Sequence, residues 1–235
     1  MSIEAGSVIE LRWLDFDHPV FPPSDNALEH PSGLLAAGGN LNPETLITAY
    51  HQGIFPWYSE GEPPLWWTPD PRAVVEPGDL IINRTTAKLI RNTRFKFTTD
   101  REFGQVINAC AEVRRGETWI TREMIEAYES LHHAGYAHSL EVWESDQLVG
   151  GLYGVAVGSV FCGESMFHRS ANASKLAFIC LSQTLFGQGF GMIDCQLQNP
   201  FLQSLGVKEI RRQAFEKKLH QLRDSQCPWP GEWRL

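Results

Sequence analysis

No stretch of the 235 residues reaches the roughly 18 consecutive apolar positions that a bilayer span requires, and the longest apolar runs are cut by Gly or by charge. The opening, MSIEAGSVIELRW, lacks the basic start of a secretory signal and carries Glu4 and Glu10 instead. Cysteine is scarce. Cys110, Cys162, Cys180, Cys195 and Cys227 make an odd count with no C-x-x-C pair, which argues for free thiols in a reducing compartment and against a disulfide framework or a zinc ribbon. The eight histidines contain neither H-x-x-x-H nor H-E-x-x-H, so no metal is expected. Basic charge is outweighed, 20 Lys and Arg against 28 Asp and Glu, and the net charge of −8 speaks against a duplex-DNA coat. The expectation is a cytoplasmic, soluble protein with no membrane partner and no DNA.

The charge that is present is uneven. Residues 81–99 hold Arg84, Lys88, Arg91, Arg94 and Lys96 with no acid among them. A second stretch holds Lys208, Arg211, Arg212, Lys217, Lys218 and Arg223 against only Glu209 and Glu216. Solvated helix faces explain each cluster taken alone, and two in an acidic protein raise the prospect of an anionic partner.

Up to about Arg72 the chain is rich in Pro, Gly and Trp, as in FPPSD, HPSGLLAAGGNLNPE and GIFPWYSEGEPPLWWTPDPR. One short helix is expected there, with Asn42 as N-cap, Pro43 at the first position and Gly53 as the stop. The rest must be pinned by aromatic burial, with Trp57, Trp66 and Trp67 available. Beyond it the pattern is regular. Helical spacing runs through Phe103, Val106, Ile107, Cys110 and Val113, and again from Thr121 to Gly135. Ser139–Trp143 and Leu148–Val157 form a hairpin, followed by a strand at Val160–Cys162. A helix over 172–186, a strand over Met192–Gln196, a short helix at 200–205, a strand at 207–210 and a last helix through Phe215 and Leu222 complete an α+β layer with helices on a mixed sheet. A small loop-rich N-terminal domain, 1–71, and a second domain, 72–235, are expected.

Two strings stand out chemically. VFCGESMF, residues 160–167, sets Glu164 among Phe161, Met166 and Phe167, where a carboxyl is costly unless paired or used. A Glu at the solvent end of a strand, bonded to a backbone amide, is the plain alternative. MIDCQ, residues 192–196, puts Asp194 and Gln196 on one face of a strand, either as an acid–base or orienting pair or as a polar strand end that caps a neighbouring helix. Gly187, Gly189 and Gly191 follow a helix and precede a strand, the reverse of a phosphate cradle, and are read as a helix stop.

GIFPW, WWTPDPR, GETWIT, FCGESMFHR, NASK and IDCQ, in that order from about His30 to Gly206, resemble the bacterial leucyl/phenylalanyl-tRNA–protein transferases. The resemblance implies an aminoacyltransferase moving Leu, Phe and less readily Met from charged tRNA to the α-amine of proteins that begin with Arg or Lys, so that they enter N-degron (N-end rule) degradation. It implies a C-terminal domain of the acyl-CoA N-acyltransferase (GNAT)-like fold beside the smaller N-terminal one. Leu-tRNA, Phe-tRNA and Met-tRNA would be donors to a monomeric enzyme. An aminoacyl ester is already activated, so no cofactor, ATP or metal is called for; alignment, a neutral amine and oxyanion stabilisation suffice.

On this sequence the resemblance assigns catalysis to Asp194 and Gln196. Asp194 would bind and polarise the amine, directly or through Gln196, and Glu164 would hold the donor near its ester. Leu152, Phe161, Met166, Phe178 and Ile193 would form the donor side-chain pocket, with Leu152 standing where Met is familiar and Phe178 where Leu is. The terminal adenine would stack on Trp57, with Tyr50 and Trp119 nearby. Arg84, Lys88, Arg91 and Arg94 would meet tRNA phosphates. The main alternative is an acetyl-CoA-dependent acetyltransferase, but its pyrophosphate loop would fall on HRSANASK, residues 168–175, which has no glycine. A third is a non-catalytic module that binds RNA ends or peptides.

Overall fold

The computed structural model describes residues 11–113, 119–231, 233 and 235. Glu4, Glu10 and the Gly116, Glu117 and Thr118 of GETWIT lie outside the described residues. In chain order the elements are β1 (Arg12–Leu14), β2 (Leu34–Gly38), α1 (Pro43–His51), β3 (Phe55–Pro56), β4 (Leu65–Trp67), β5 (Arg72–Val75), α2 (Arg84–Asn92), β6 (Lys96–Thr99) and α3 (Phe103–Glu112). There follow α4 (Arg122–His133), β7 (Ala137–Glu144), β8 (Gln147–Val157), β9 (Val160–His168), α5 (Ala173–Gly187), β10 (Met192–Gln196), α6 (Pro200–Gln203), β11 (Lys208–Ile210) and α7 (Arg212–Leu222).

The strands form two sheets, β1-β2-β4-β3 and β11-β5-β10-β9-β8-β7-β6. The larger is mixed: β9 and β10 run parallel and its other neighbours antiparallel. A parallel pair needs a crossover, and α5 supplies it. Side chains alternate between the two faces, as strand geometry requires. Tyr153, Val155, Cys162, Val74 and Met192 face α3, α4 and the N-terminal sheet, whereas Leu152, Phe161, Ile193 and Val75 face α5. Gly150 of β8 lets α5 approach, since a Cβ there would lie 2.6 Å from that of Ala173.

The helices from α3 onward and the hairpin stand where periodicity puts them. Three segments differ, one being residues 72–99, where no element was expected and β5, α2 and β6 stand. The N-terminal third was expected to hold one helix, and α1 is there with Asn42 as its N-cap, but so is a four-stranded sheet. All five residues of β2 are buried, so LLAAG carries no alternation to read. Aromatic pinning operates as expected: Trp66 is buried, meets Phe21 edge-to-face at 4.8 Å and donates from Nε1 to the Gly38 carbonyl at 2.8 Å. The strand expected at Val160–Cys162 continues to His168, because both faces of VFCGESMF are largely covered. Among the described residues no helix is long and apolar enough to cross a membrane.

Candidate active site

The chemistry converges where β9 and β10 part. They pair only from Val160–Met192 to Cys162–Asp194. Beyond that β9 continues against β8 while β10 ends at Gln196. A side chain spans the gap, Gln196 Nε2 donating to Glu164 Oε1 at 2.7 Å. Gln196 does so from a left-handed backbone, φ 62°, which a residue with a Cβ keeps only when its surroundings enforce it. Its N–H donates to Asp194 Oδ1 at 2.9 Å. Asp194 in turn is gripped by Arg72 of β5, Nε to Oδ1 at 2.8 Å and Nη2 to Oδ2 at 2.6 Å.

This ion pair is sealed, with the Arg72 and Asp194 side chains 1% and 0% exposed. The guanidinium lies 4.8 Å from the Phe55 ring centroid and 4.5 Å from that of Phe215, distances at which aromatic faces attract a cation. Burial works against its charge, but Asp194 beside it raises the Arg72 pKa above the ordinary value. The direct form of the Asp194 expectation is therefore corrected. Both oxygens are engaged and the side chain is 0% exposed, so no surface is open to an incoming amine; the contact Asp194 makes toward the clefts is with the Gln196 N–H.

Glu164, buried but bordering both clefts, is the other end of this chain of contacts. Its Oε2 accepts from the Tyr128 hydroxyl at 3.1 Å, and Tyr128 shares a short hydrogen bond with Tyr50. Burial raises the Glu164 pKa, the two tyrosine hydroxyls pull it back, the Asp194 charge adds to the rise and Gln196 pulls back again. The result is about 7. A carboxyl poised there changes charge near neutrality.

Two clefts meet on Glu164 and Gln196, which border both along with Cys195 and Leu197. One, of about 490 Å³, is lined by all five expected pocket residues, Leu152, Phe161, Met166, Phe178 and Ile193. The other, about 170 Å³, runs past Phe55, Pro56, Trp57 and Trp119. Trp57 is 38% exposed and leans on Trp67, with ring centroids 5.5 Å apart. Tyr50 differs from expectation. It is 1% exposed, lies behind Glu164 and presents no face on which an adenine can stack.

Arg84, Lys88 and Arg91 project from α2 into solvent, and Arg94 follows it exposed. Among the described residues none of the four joins an ion pair at 4.0 Å or less. The second basic stretch is largely engaged within the fold. Lys208 pairs with Glu76 and Asp79, Lys218 with Glu76, and Arg212 donates to the Thr68 carbonyl. Among the described residues no three His, Cys, Asp or Glu side chains gather as metal ligands would.

Arg72 and Tyr128 are the site residues that spacing alone missed. Tyr128 lies within the helix expected from Thr121 to Gly135 and was given no role in the site. A cation opening the otherwise apolar strand RAVV was the available signal for Arg72, because a buried charge there demands a partner.

A mixed α+β sheet whose parallel strands part over a buried acid–amide cluster, between an apolar cleft and an aromatic one, frames the candidate site. Comparison with known proteins gives the class and the particular family. Residues 74–220 match the model of the family described as leucyl/phenylalanyl-tRNA protein transferase, and residues 39–70 match that of its N-terminal domain. Curated proteins with that name are 52% identical in Shewanella halifaxensis, over 92% of each chain, and 52% in Shewanella pealeana, over 91% of this chain and 92% of that one. In Shewanella piezotolerans the identity is 50% over 95% of each. The chain belongs to the leucyl/phenylalanyl-tRNA–protein transferase family. Among solved structures it is similar to a GCN5-related N-acetyltransferase from Kribbella flavida, at TM-score 0.39 and 14% identity over 66% of this chain and 56% of that one. It is also similar to L-PGS from Bacillus licheniformis, at TM-score 0.40 and 12% identity over 85% and 65%. Those likenesses are distant, and the architecture stands on the strand order and packing given above.

Proposed function

We propose that this chain transfers Leu, Phe and less readily Met from charged tRNA to the α-amine of proteins beginning with Arg or Lys, and so feeds N-degron degradation in the cytoplasm. The observation that carries the reading is the meeting of an apolar cleft and an aromatic cleft on one carboxyl–amide pair. An aminoacylated adenosine has the same layout, an apolar side chain and a flat base joined through an ester. In this reading the donor side chain occupies the space between Leu152, Phe161, Met166, Phe178 and Ile193. The adenine lies against Trp57 and Trp119, and the acceptor stem crosses α2 at Arg84, Lys88, Arg91 and Arg94. Residues 1–71 then contribute Trp57 to the nucleotide end, while residues 72–235 contribute Trp119, the cations of α2 and the chemistry.

The acceptor amine attacks the ester carbonyl, the carbon–oxygen bond to the ribose breaks as the peptide bond forms, and the ribose oxygen leaves with a proton. Gln196, aimed by its pinned backbone, orients the reacting groups. Glu164 holds the donor close to its ester. Asp194 and Arg72 keep Gln196 in place. Positioning of this kind supplies much of the catalysis when the electrophile is already activated.

The test is transfer of labelled Leu from charged tRNA to an Arg-initiated peptide, with an Ala-initiated peptide and acetyl-CoA as controls. Label should reach the Arg peptide alone, and only from tRNA. Equal labelling of both peptides, or acetylation without aminoacyl transfer, would overturn the proposal.

A further inference from the structure

We propose that Trp229, in the segment after α7, is a positioning residue that sets which donor side chain the apolar cleft prefers. The inference rests on the aminoacyl-transfer reading above. Cys227, Trp229, Trp233 and Leu235 pack on the α5 face of the sheet, against the cluster that contains Leu152, Phe161, Phe178 and Ile193. The indole of Trp229 stacks on the Phe161 ring, with centroids 5.4 Å apart and planes 29° apart. Phe161 forms part of the wall of the 490 Å³ cleft. The same ring lies over Gly154, where a Cβ would come within 2.6 Å of its Cζ. Phe161 is thus held between the backbone of β8 and the indole.

Trp229 is itself fixed. Its Nε1 donates to Thr99 Oγ1 at 2.7 Å. It stacks on His138 at 4.1 Å and 12°, and His138 is held by Asp100 at 2.7 Å. Trp233 and Phe190 close two further sides, at 5.2 and 6.3 Å. A continuous line of contacts therefore runs from β6 and β7 through Trp229 to the cleft wall. The family model matches as far as residue 220, and Trp229 lies beyond that span.

Close-packed interiors respond to a lost side chain by partial collapse into the space left behind. With the indole removed, the Phe161 ring withdraws and the cleft deepens, which favours the bulkier donor. Apolar pockets discriminate between side chains of nearby size by only about 10- to 200-fold, so a small movement of the wall is visible in the ratio.

The experiment measures kcat/KM for Phe-tRNA and for Leu-tRNA, with an Arg-initiated peptide, on the full chain. The set is wild type, Trp229→Leu, Phe161→Leu and the double variant. Trp229→Leu should raise the Phe-to-Leu ratio by about 3- to 10-fold. In the Phe161→Leu background the same change should move it by less than about twofold, because the ring through which it acts is gone. A ratio unchanged in folded Trp229→Leu, or an equal shift in both backgrounds, would overturn the proposal. Should Trp229→Leu not fold, Trp229→Phe replaces it in both backgrounds, and the same two outcomes decide. Wild type that transfers neither amino acid would overturn the functional reading instead, which an unchanged ratio beside active wild type does not.

Discussion

At the scale of single residues, Arg72, Asp194, Gln196 and Glu164 form one chain of contacts whose members should fail differently. Gln196→Asn keeps a residue that tolerates the left-handed backbone but shortens the arm that reaches Glu164. Transfer should fall about 10²- to 10⁴-fold with the melting temperature little changed. Asp194→Asn leaves Arg72 buried without its counter-charge, a defect that typically costs about 3–5 kcal/mol, so transfer and stability should fall together. Single-turnover rates and urea unfolding of both variants check this, and stability losses of equal size would refute the distinction. Glu164 supplies a pH signature. Its folded pKa of about 7 lies above the ordinary 4.5, so the folded state binds the extra proton between those values. The stability this group contributes is complete below pH 4.5 and lost as pH rises through 7. Glu164→Gln should therefore unfold later than wild type at pH 8, by on the order of 3 kcal/mol, with the gap closing toward pH 4.5. Parallel stability curves would count against a buried, titrating Glu164. Spacing singled out Glu164 and the Asp194–Gln196 pair because polar residues in apolar strings are visible, but it left a plain strand-end role open for each. The roles given to them and to Tyr50 came from the family resemblance, which does not record that Arg72 and Tyr128 already occupy Asp194 and Tyr50.

At the scale of elements, helices were the legible part. α3, α4 and α5 bury one face or most of their surface, and their apolar spacing exposes that in the sequence. The short strands β1, β2 and β4 were hidden: three to five residues are too few to establish a period. α2 was visible as a charge cluster, and its structure separates it from the other one. Thr86 is buried, Leu89 and Ile90 pack inward, and Arg84, Lys88 and Arg91 stay free. Few phosphates can be met by so small a set, so the log–log salt dependence of tRNA binding should be no steeper than about 4. Reversing Arg91 and Arg94 to Glu should weaken tRNA binding and flatten that slope by about 2, measured by filter binding across a salt series. Unchanged affinity would remove α2 from the interface.

At the scale of the whole molecule, the two sheets meet through the site rather than beside it. Arg72 begins β5 of the larger sheet, yet its guanidinium rests on Phe55 of the smaller sheet and on Phe215 of α7. Phe55 and Pro56 line the aromatic cleft next to Trp57. The apolar cleft depends similarly on distant chain, with Trp229 behind Phe161. None of these long-range pairings leaves a periodic trace, which is why the elements were more legible than the joints between them.

The position of β5 has a consequence for biosynthesis. It lies between β10 and β11, so a strand made at residues 72–75 acquires its neighbours only when residues 192–196 and 208–210 exist. At ribosomal speeds of about 5–20 residues per second, that wait is roughly 7–27 s. Until residue 196 is made Arg72 lacks Asp194 and Gln196 is missing, so under the proposed function the nascent chain has no complete site with which to consume charged tRNA beside the ribosome that is spending it.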